Sequence, residues 1–141
     1  MSKYHEPVLL NESIDGLNID SKGVYVDVTF GGGGHSRAIL SKLDGGHLYA
    51  FDQDDEALNN EIEDEGFTLI NANFRYLKNS LRMYGVKEVD GLLADLGVSS
   101  HQFDVADRGF SIRFESDLDM RMDQNAELDA YKVLNLSLIH I

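Results

Sequence analysis

Residues 24–36 read VYVDVTFGGGGHS, and no other stretch constrains the chain as much. Val24, Val26, Val28 and Phe30 alternate with Tyr25, Asp27 and Thr29, a β-branched and aromatic run that predicts a strand. The run meets four consecutive glycines, Gly31 to Gly34, and beyond them Ile39, Leu40 and Leu43 fall at helical spacing. Strand, bare backbone and helix therefore follow one another. Backbone N–H groups in such a loop can approach a ligand closely at the positive end of a helix dipole. A tight turn needing positive φ accounts for one or two glycines, but poorly for four. The pattern points to a nucleotide-type ligand.

The dinucleotide fingerprint G-x-G-x-x-G does not fit. Started at Gly31 its third glycine falls on Ser36, and started at Gly32 it falls on Arg37. A second strand, residues 48–52, ends on Asp52, where a carboxylate can accept hydrogen bonds from a ribose diol. That arrangement serves nicotinamide cofactors and S-adenosylmethionine alike. The alternative for Asp52 is a strand-end or helix-capping carboxylate ahead of the acidic run that starts at Asp54.

The 141 residues, 43% of them hydrophobic, suffice for one domain with a real core. No apolar run has the length of a membrane span and the N-terminus lacks a signal-peptide pattern, so a cytoplasmic protein with no membrane partner is expected. There is no cysteine, and His5, His35, His47, His101 and His140 show no metal-ligand spacing. No metal site is expected. A formal net charge of −13 argues against broad electrostatic binding to a phosphate backbone. It leaves open a local basic surface on a part of the protein outside these residues, or a grip made mainly by shape and base contacts.

In chain order, residues 8–14 form an apolar helical turn expected to pack on the sheet, and residues 54–65 a helix with an acidic start. Residues 67–74 make a third strand and its exit, and residues 75–84 a helix ended by Gly85. Residues 89–97 make a fourth strand whose apolar centre implies cover on both faces. Alternating strands and helices predict a parallel α/β sheet, with the glycine loop, Asp52, Phe74 and Asp95 all at strand C-terminal ends, where such sheets bind ligands. From residue 98 onward the pattern becomes polar and irregular, which fits a functional loop or a solvated surface equally.

Taken together, His5-Glu6-Pro7-Val8-Leu9-Leu10, Tyr25-Val26-Asp27, Gly33-Gly34-His35-Ser36, Asp90-Gly91, Asp95-Leu96-Gly97-Val98-Ser99-Ser100, Arg108-Gly109-Phe110-Ser111 and Leu118-Asp119-Met120-Arg121-Met122-Asp123 closely resemble one family. It is the RsmH/MraW family of S-adenosylmethionine-dependent methyltransferases, which modify the N4 amine of a cytosine in small-subunit (16S) ribosomal RNA. The resemblance covers nearly the whole chain. It implies a Rossmann-like class I methyltransferase fold, S-adenosylmethionine as cofactor, and small-subunit ribosomal RNA or the assembled small subunit as partner. By the same resemblance, cofactor contacts fall on Gly33, Gly34, His35, Asp52 (ribose), Phe74 (adenine), Asp95 (methionine end) and Gln102, and Asp95 is the catalytic candidate. Asp95 should matter to the rate far more than Ser36, and Phe103 or Phe110 can stack on a cytosine drawn from its own stack. His101 departs from the family pattern, standing where many members have proline.

The resemblance implies an N-terminal piece: the first four strands of a seven-stranded sheet and the start of a helical insertion. The expected division is residues 1–98 for the cofactor-binding part, 99–135 for the substrate loop and the start of the insertion, and 136–141 for an artefactual tail. That tail, LSLIHI, leaves the family's pattern and matches a common synthetic sequencing adapter read as codons, although Leu136, Ile139 and His140 also suit a helix end. Two other functions stand beside methyl transfer: a nicotinamide-dependent oxidoreductase, disfavoured by the misplaced third glycine, and a cofactor-binding module without catalysis.

Overall fold

The alternation read in residues 24–36 builds two cores, one on each face of a sheet. The computed structural model describes residues 7–136. They divide into two compact units between Leu96 and Gly97.

In the first unit, strands β1 (Val24–Asp27), β2 (His47–Asp52), β3 (Phe67–Asn71) and β4 (Gly91–Leu93) form a parallel sheet in the order β3-β2-β1-β4. Because side chains alternate across a strand, Tyr25, Leu48 and Ala50 point into one cluster. Val26, Tyr49 and Phe51 point into the other. Helices α1 (Leu10–Leu17) and α2 (Gly34–Leu40) close the first cluster through Ile14 and Ile39. Helix α3 (Leu77–Met83) closes the second through Leu77 and Leu81. Helices thus cover both faces of the sheet, as the α/β reading requires, and residues 8–14 do feed a helix that packs on it. Gly85, at φ 76°, ends α3, with the Val86 N–H donating to the Leu81 carbonyl at 3.0 Å.

Three elements differ from expectation. Residues 54–65 hold only a 3₁₀ segment, Asp55–Asn60. Asp54 caps it through the Glu56 N–H, but Asn60 is drawn out of helical register. Its carbonyl accepts from the Arg37 guanidinium at 3.1 Å and its carboxamide donates to the Gly31 carbonyl at 3.1 Å. The acidic residues Glu61, Glu63, Asp64 and Glu65 that follow repel one another and favour no further turn. The helix expected from residue 75 opens instead as a 3₁₀ turn, Phe74–Tyr76, before α3 begins. The fourth strand is three residues long. Its ladder stops because Thr29 Oγ1 takes the Asp95 N–H at 2.8 Å. Leu93 is buried while Leu92 is 46% exposed, so among the described residues this strand is covered on one face rather than two.

The second unit contains α4 (Ser100–Asp104), a 3₁₀ turn (Ala106–Arg108) and α5 (Ala130–Leu136). Among its described residues only Gln102 and Arg108 are buried, and both are polar. Leu136 is the last residue of α5. The rest of the tail read as artefactual, residues 137–141, lies outside the described residues. No helix among the described residues is long and apolar enough to cross a membrane.

Leu81, 7% exposed between α3 and the sheet, should cost about 2–5 kcal/mol when replaced by alanine. Leu92→Ala on the exposed face of β4 should cost less than about 1 kcal/mol. Denaturant unfolding of the two variants measures the difference.

Candidate functional site

Parallel pairing brings the four strand ends to one edge of the first unit, and a row of hydrogen bonds ties neighbour to neighbour there. Between β3 and β2, Asn73 Nδ2 donates to Gln53 Oε1 at 2.6 Å. Between β2 and β1, the Gly31 N–H donates to Asp52 Oδ2 at 2.7 Å. Between β1 and β4, the Asp95 N–H donates to Thr29 Oγ1. Asp52, Phe74 and Asp95 each lie in this row or next to it.

The row rests on a carboxylate buried beneath it. Asp27, the last residue of β1, is fully buried. Its Oδ2 accepts from Ser36 Oγ at 2.7 Å, and its Oδ1 accepts from the Thr29 N–H at 3.0 Å and Thr29 Oγ1 at 3.3 Å. Burial pushes the Asp27 carboxyl up from its ordinary range, and these donors act against that rise. Thr29 gives its hydroxyl proton to Asp27 and accepts from Asp95, so one side chain joins two strand ends.

Several glycines in the loop have intrachain reasons. Gly33 caps α2 at φ 75°, where a Cβ would also press on the Phe30 ring at 3.0 Å. A Cβ on Gly34 would collide with the ring of Pro7. His35 is buried, with Nε2 3.2 Å from the Val8 carbonyl, so its ring and Gly34 both secure the segment leading into α1. The Asp52 carboxylate is partly buried, and burial raises its pKa against bonds from the Asp54 and Gly31 N–H groups. The Gly31 N–H reaches Oδ2 and the Asp54 N–H reaches Oδ1 at 2.9 Å, and a carboxylate oxygen can accept a second donor. Phe74 is 45% exposed just beyond β3, and the Asp95 carboxylate is exposed two residues beyond β4.

Gln102 lies in the second unit. It forms a capping box with Ser99: the Gln102 N–H donates to Ser99 Oγ at 3.2 Å and the Ser99 N–H to Gln102 Oε1 at 3.0 Å. The S-x-x-Q spacing announces this short helix within a stretch read as irregular. His101 sits inside α4, so its departure from the family pattern leaves the capped turn intact. In the same unit Arg108 donates to the Arg121 and Met122 carbonyls, and Arg121 forks onto Asp119 at 2.8 and 2.7 Å. Among the described residues no group of His, Cys, Asp and Glu is arranged to hold a metal ion.

The sequence model of the MraW methylase family matches residues 2–139. The chain belongs to that family. It is 64% identical over 136 residues to the "Ribosomal RNA small subunit methyltransferase H" of Christiangramia forsetii, a match covering 96% of this chain and 45% of that protein. It is 63% identical to the protein so named in Flavobacterium johnsoniae, covering 94% and 44%. Among solved structures, an rRNA methylase from Streptococcus thermophilus is similar at a TM-score of 0.45 and 26% identity, over 56% of this chain and 51% of that one. The chain spans about 45% of the length of the curated relatives it matches. Its parallel sheet with helices on both faces is the Rossmann-like methyltransferase arrangement.

Sequence reasoning missed Asp27 and Thr29 as the joint of this edge, and it used Ser36 as a bland comparator for Asp95. Ser36 is fully buried on Asp27 and is no neutral position. The available signal was a polar residue at each of two positions in an otherwise apolar strand exit, since a buried polar group needs partners.

Thr29→Val removes the acceptor of the Asp95 N–H and should cost about 0.5–1.5 kcal/mol, with faster amide exchange at Asp95. Thr29→Ser, which keeps the hydroxyl, should stay within about 0.5 kcal/mol of the parent. In the second unit, the Arg121 side chain holds the Asp119 carboxyl down to about 2. A depressed acid contributes stability that is complete above its ordinary value of 3.8 and is lost as pH falls through about 2. Local order around residues 108–123 should therefore be flat from neutral pH to about 4 and decline below it, as followed by NMR titration of the Asp119 carboxyl.

Proposed function

We propose that this chain is the cofactor-binding part of an enzyme that transfers a methyl group from S-adenosylmethionine to the N4 amine of a cytosine in small-subunit ribosomal RNA. The observation that carries the reading is family membership across residues 2–139, together with relatives at 63–64% identity named for ribosomal RNA small-subunit methylation.

The residues present fit the cofactor. Asp52, partly buried and able to accept further hydrogen bonds, suits a ribose diol. Phe74 offers an exposed ring for an adenine. Of the loop N–H groups before Gly34, those of Gly31 and Gly33 are engaged by Asp52 and the Phe30 carbonyl, which leaves the Gly32 backbone to meet a ligand, whereas Gly34 and His35 act through the Pro7–Val8 segment they hold. Bound S-adenosylmethionine supplies an electrophilic methyl group on a sulfonium. The cytosine amine is a weak nucleophile because its lone pair is delocalised into the ring. A carboxylate accepting from its N–H groups returns density to the nitrogen, and Asp95 takes that role or orients the cofactor's amino-acid end. Thr29 fixes the Asp95 backbone, and the catalysis asked of these groups is chiefly positioning for an in-line displacement.

Asp52→Ala should weaken S-adenosylmethionine binding by about 1.5–3 kcal/mol, or ten- to hundred-fold in calorimetry. Unchanged affinity would remove the ribose assignment, and stabilisation by NAD in place of S-adenosylhomocysteine would favour an oxidoreductase. In the whole enzyme, Asp95→Ala should lower RNA methylation far more than Asp44→Ala, whose carboxylate is exposed ahead of β2 at the opposite sheet edge. Equal effects would take Asp95 off the catalytic list.

A further inference from the structure

Between Glu65 and Glu88 the chain has no acidic residue and four basic ones, Arg75, Lys78, Arg82 and Lys87, a third of its 12 lysines and arginines. All four are exposed. Leu77 and Leu81 bury the inner side of α3 against the sheet, which leaves the other side to solvent. Arg75, Lys78 and Arg82 follow one another at steps of three and four, so they form one stripe about 10 Å long. Tyr76, 52% exposed, lies beside it, with the Arg75 guanidinium 5.7 Å from its ring. Among the described residues none of the four cations forms an ion pair. Lys78 and Arg82 are like charges one turn apart, an arrangement that works against the helix carrying it. The stripe therefore has no role within the described fold.

We propose that this face of α3 and its leading turn grips the phosphate backbone of the RNA substrate; the proposal deepens the preceding reading and rests on it. Regularly spaced cations with an exposed aromatic ring among them match phosphate contact plus base stacking. The formal charge of −13 does not oppose this, because the acidic residues lie outside residues 66–87. A negative remainder disfavours RNA contact elsewhere and so favours its approach to this basic face. The position is suitable as well. The turn begins at Phe74, just past the end of β3, so Arg75 stands at the sheet edge that holds Asp52 and Asp95 while α3 leads away from it. Contacts of this kind set register and orientation and leave base selection to other groups.

The test compares the 141-residue chain with a triple variant, Arg75→Gln, Lys78→Gln and Arg82→Gln, and with a control, Lys22→Gln and Lys42→Gln. Binding of a labelled single-stranded RNA of about 20 nucleotides is followed by anisotropy across salt concentrations. The parent should bind in a salt-dependent way. The triple variant should lose about ten-fold or more in affinity near 100 mM salt, with the slope of log K against log salt flattened by about 2, and Lys78→Gln alone by about 0.7. The control should match the parent in RNA binding, and no variant should melt below the parent's thermal midpoint. No RNA binding by the parent, an unchanged slope in the triple variant, or an equal loss in the control would overturn the proposal. So would binding to anionic vesicles as tight as to RNA with the same loss on substitution, which would assign the face to a lipid surface. Calorimetry with S-adenosylmethionine on the same samples tests the preceding reading separately: binding should survive the triple substitution, and its absence in the parent would sink that reading whatever the RNA titration gave.

Discussion

A fully buried carboxylate organises the candidate site. Asp27 is fully buried at the end of β1, and its two oxygens are held by the Ser36 hydroxyl on one side and the amide and hydroxyl of Thr29 on the other. Burying a charge without such donors would be strongly unfavourable. The donors therefore have to be where they are, and that requirement fixes the first turn of α2 and the exit of β1 relative to each other. The glycine loop spans the gap between two points already pinned, so its conformation follows from its ends. Thr29 carries the constraint on to Asp95, and the edge of the sheet becomes a linked row of polar contacts.

The two units are stabilised by different means. In the first, alternate residues of β1 and β2 enter separate apolar clusters, and the helices on both faces are held by burial. In the second, the buried positions among the described residues are Gln102 and Arg108, and order comes from a capping box, a guanidinium on two carbonyls and an Asp119–Arg121 fork. The Arg108-Gly109 and Asp119-to-Asp123 motifs fit together here: the Met120 N–H donates to the Arg108 carbonyl at 3.1 Å, and a Cβ on Gly109 would press on the backbone of Asp117 and Asp119. Side chains that mark the family in sequence thus build the local shape of this unit.

The charge distribution shows how a total can mislead. A formal charge of −13 suggests a surface hostile to nucleic acid, yet the basic residues of α3 and its leading turn have no acidic residue between Glu65 and Glu88 to offset them. Net charge describes the distant field, whereas contact with a phosphate depends on the local one.

The sequence by itself determined the parallel α/β class, the four strands, the glycine loop before α2 and the gathering of Asp52, Phe74 and Asp95 at one sheet edge, because hydrophobic period and glycine runs are local signals. Tertiary structure alone decided where those elements stop and what several residues do. The helix expected at residues 54–65 became a short 3₁₀ segment because Asn60 bonds to residues 23 and 29 positions earlier in the chain. The fourth strand ended at Leu93 because Thr29, distant in sequence, takes the amide of Asp95. Gly34 is required by Pro7, and the His35 ring meets Val8, contacts that no local pattern encodes. The common reason is that a hydrogen bond or a steric contact between segments far apart in the chain leaves no periodic trace, while its energy is enough to override the preference of a short segment.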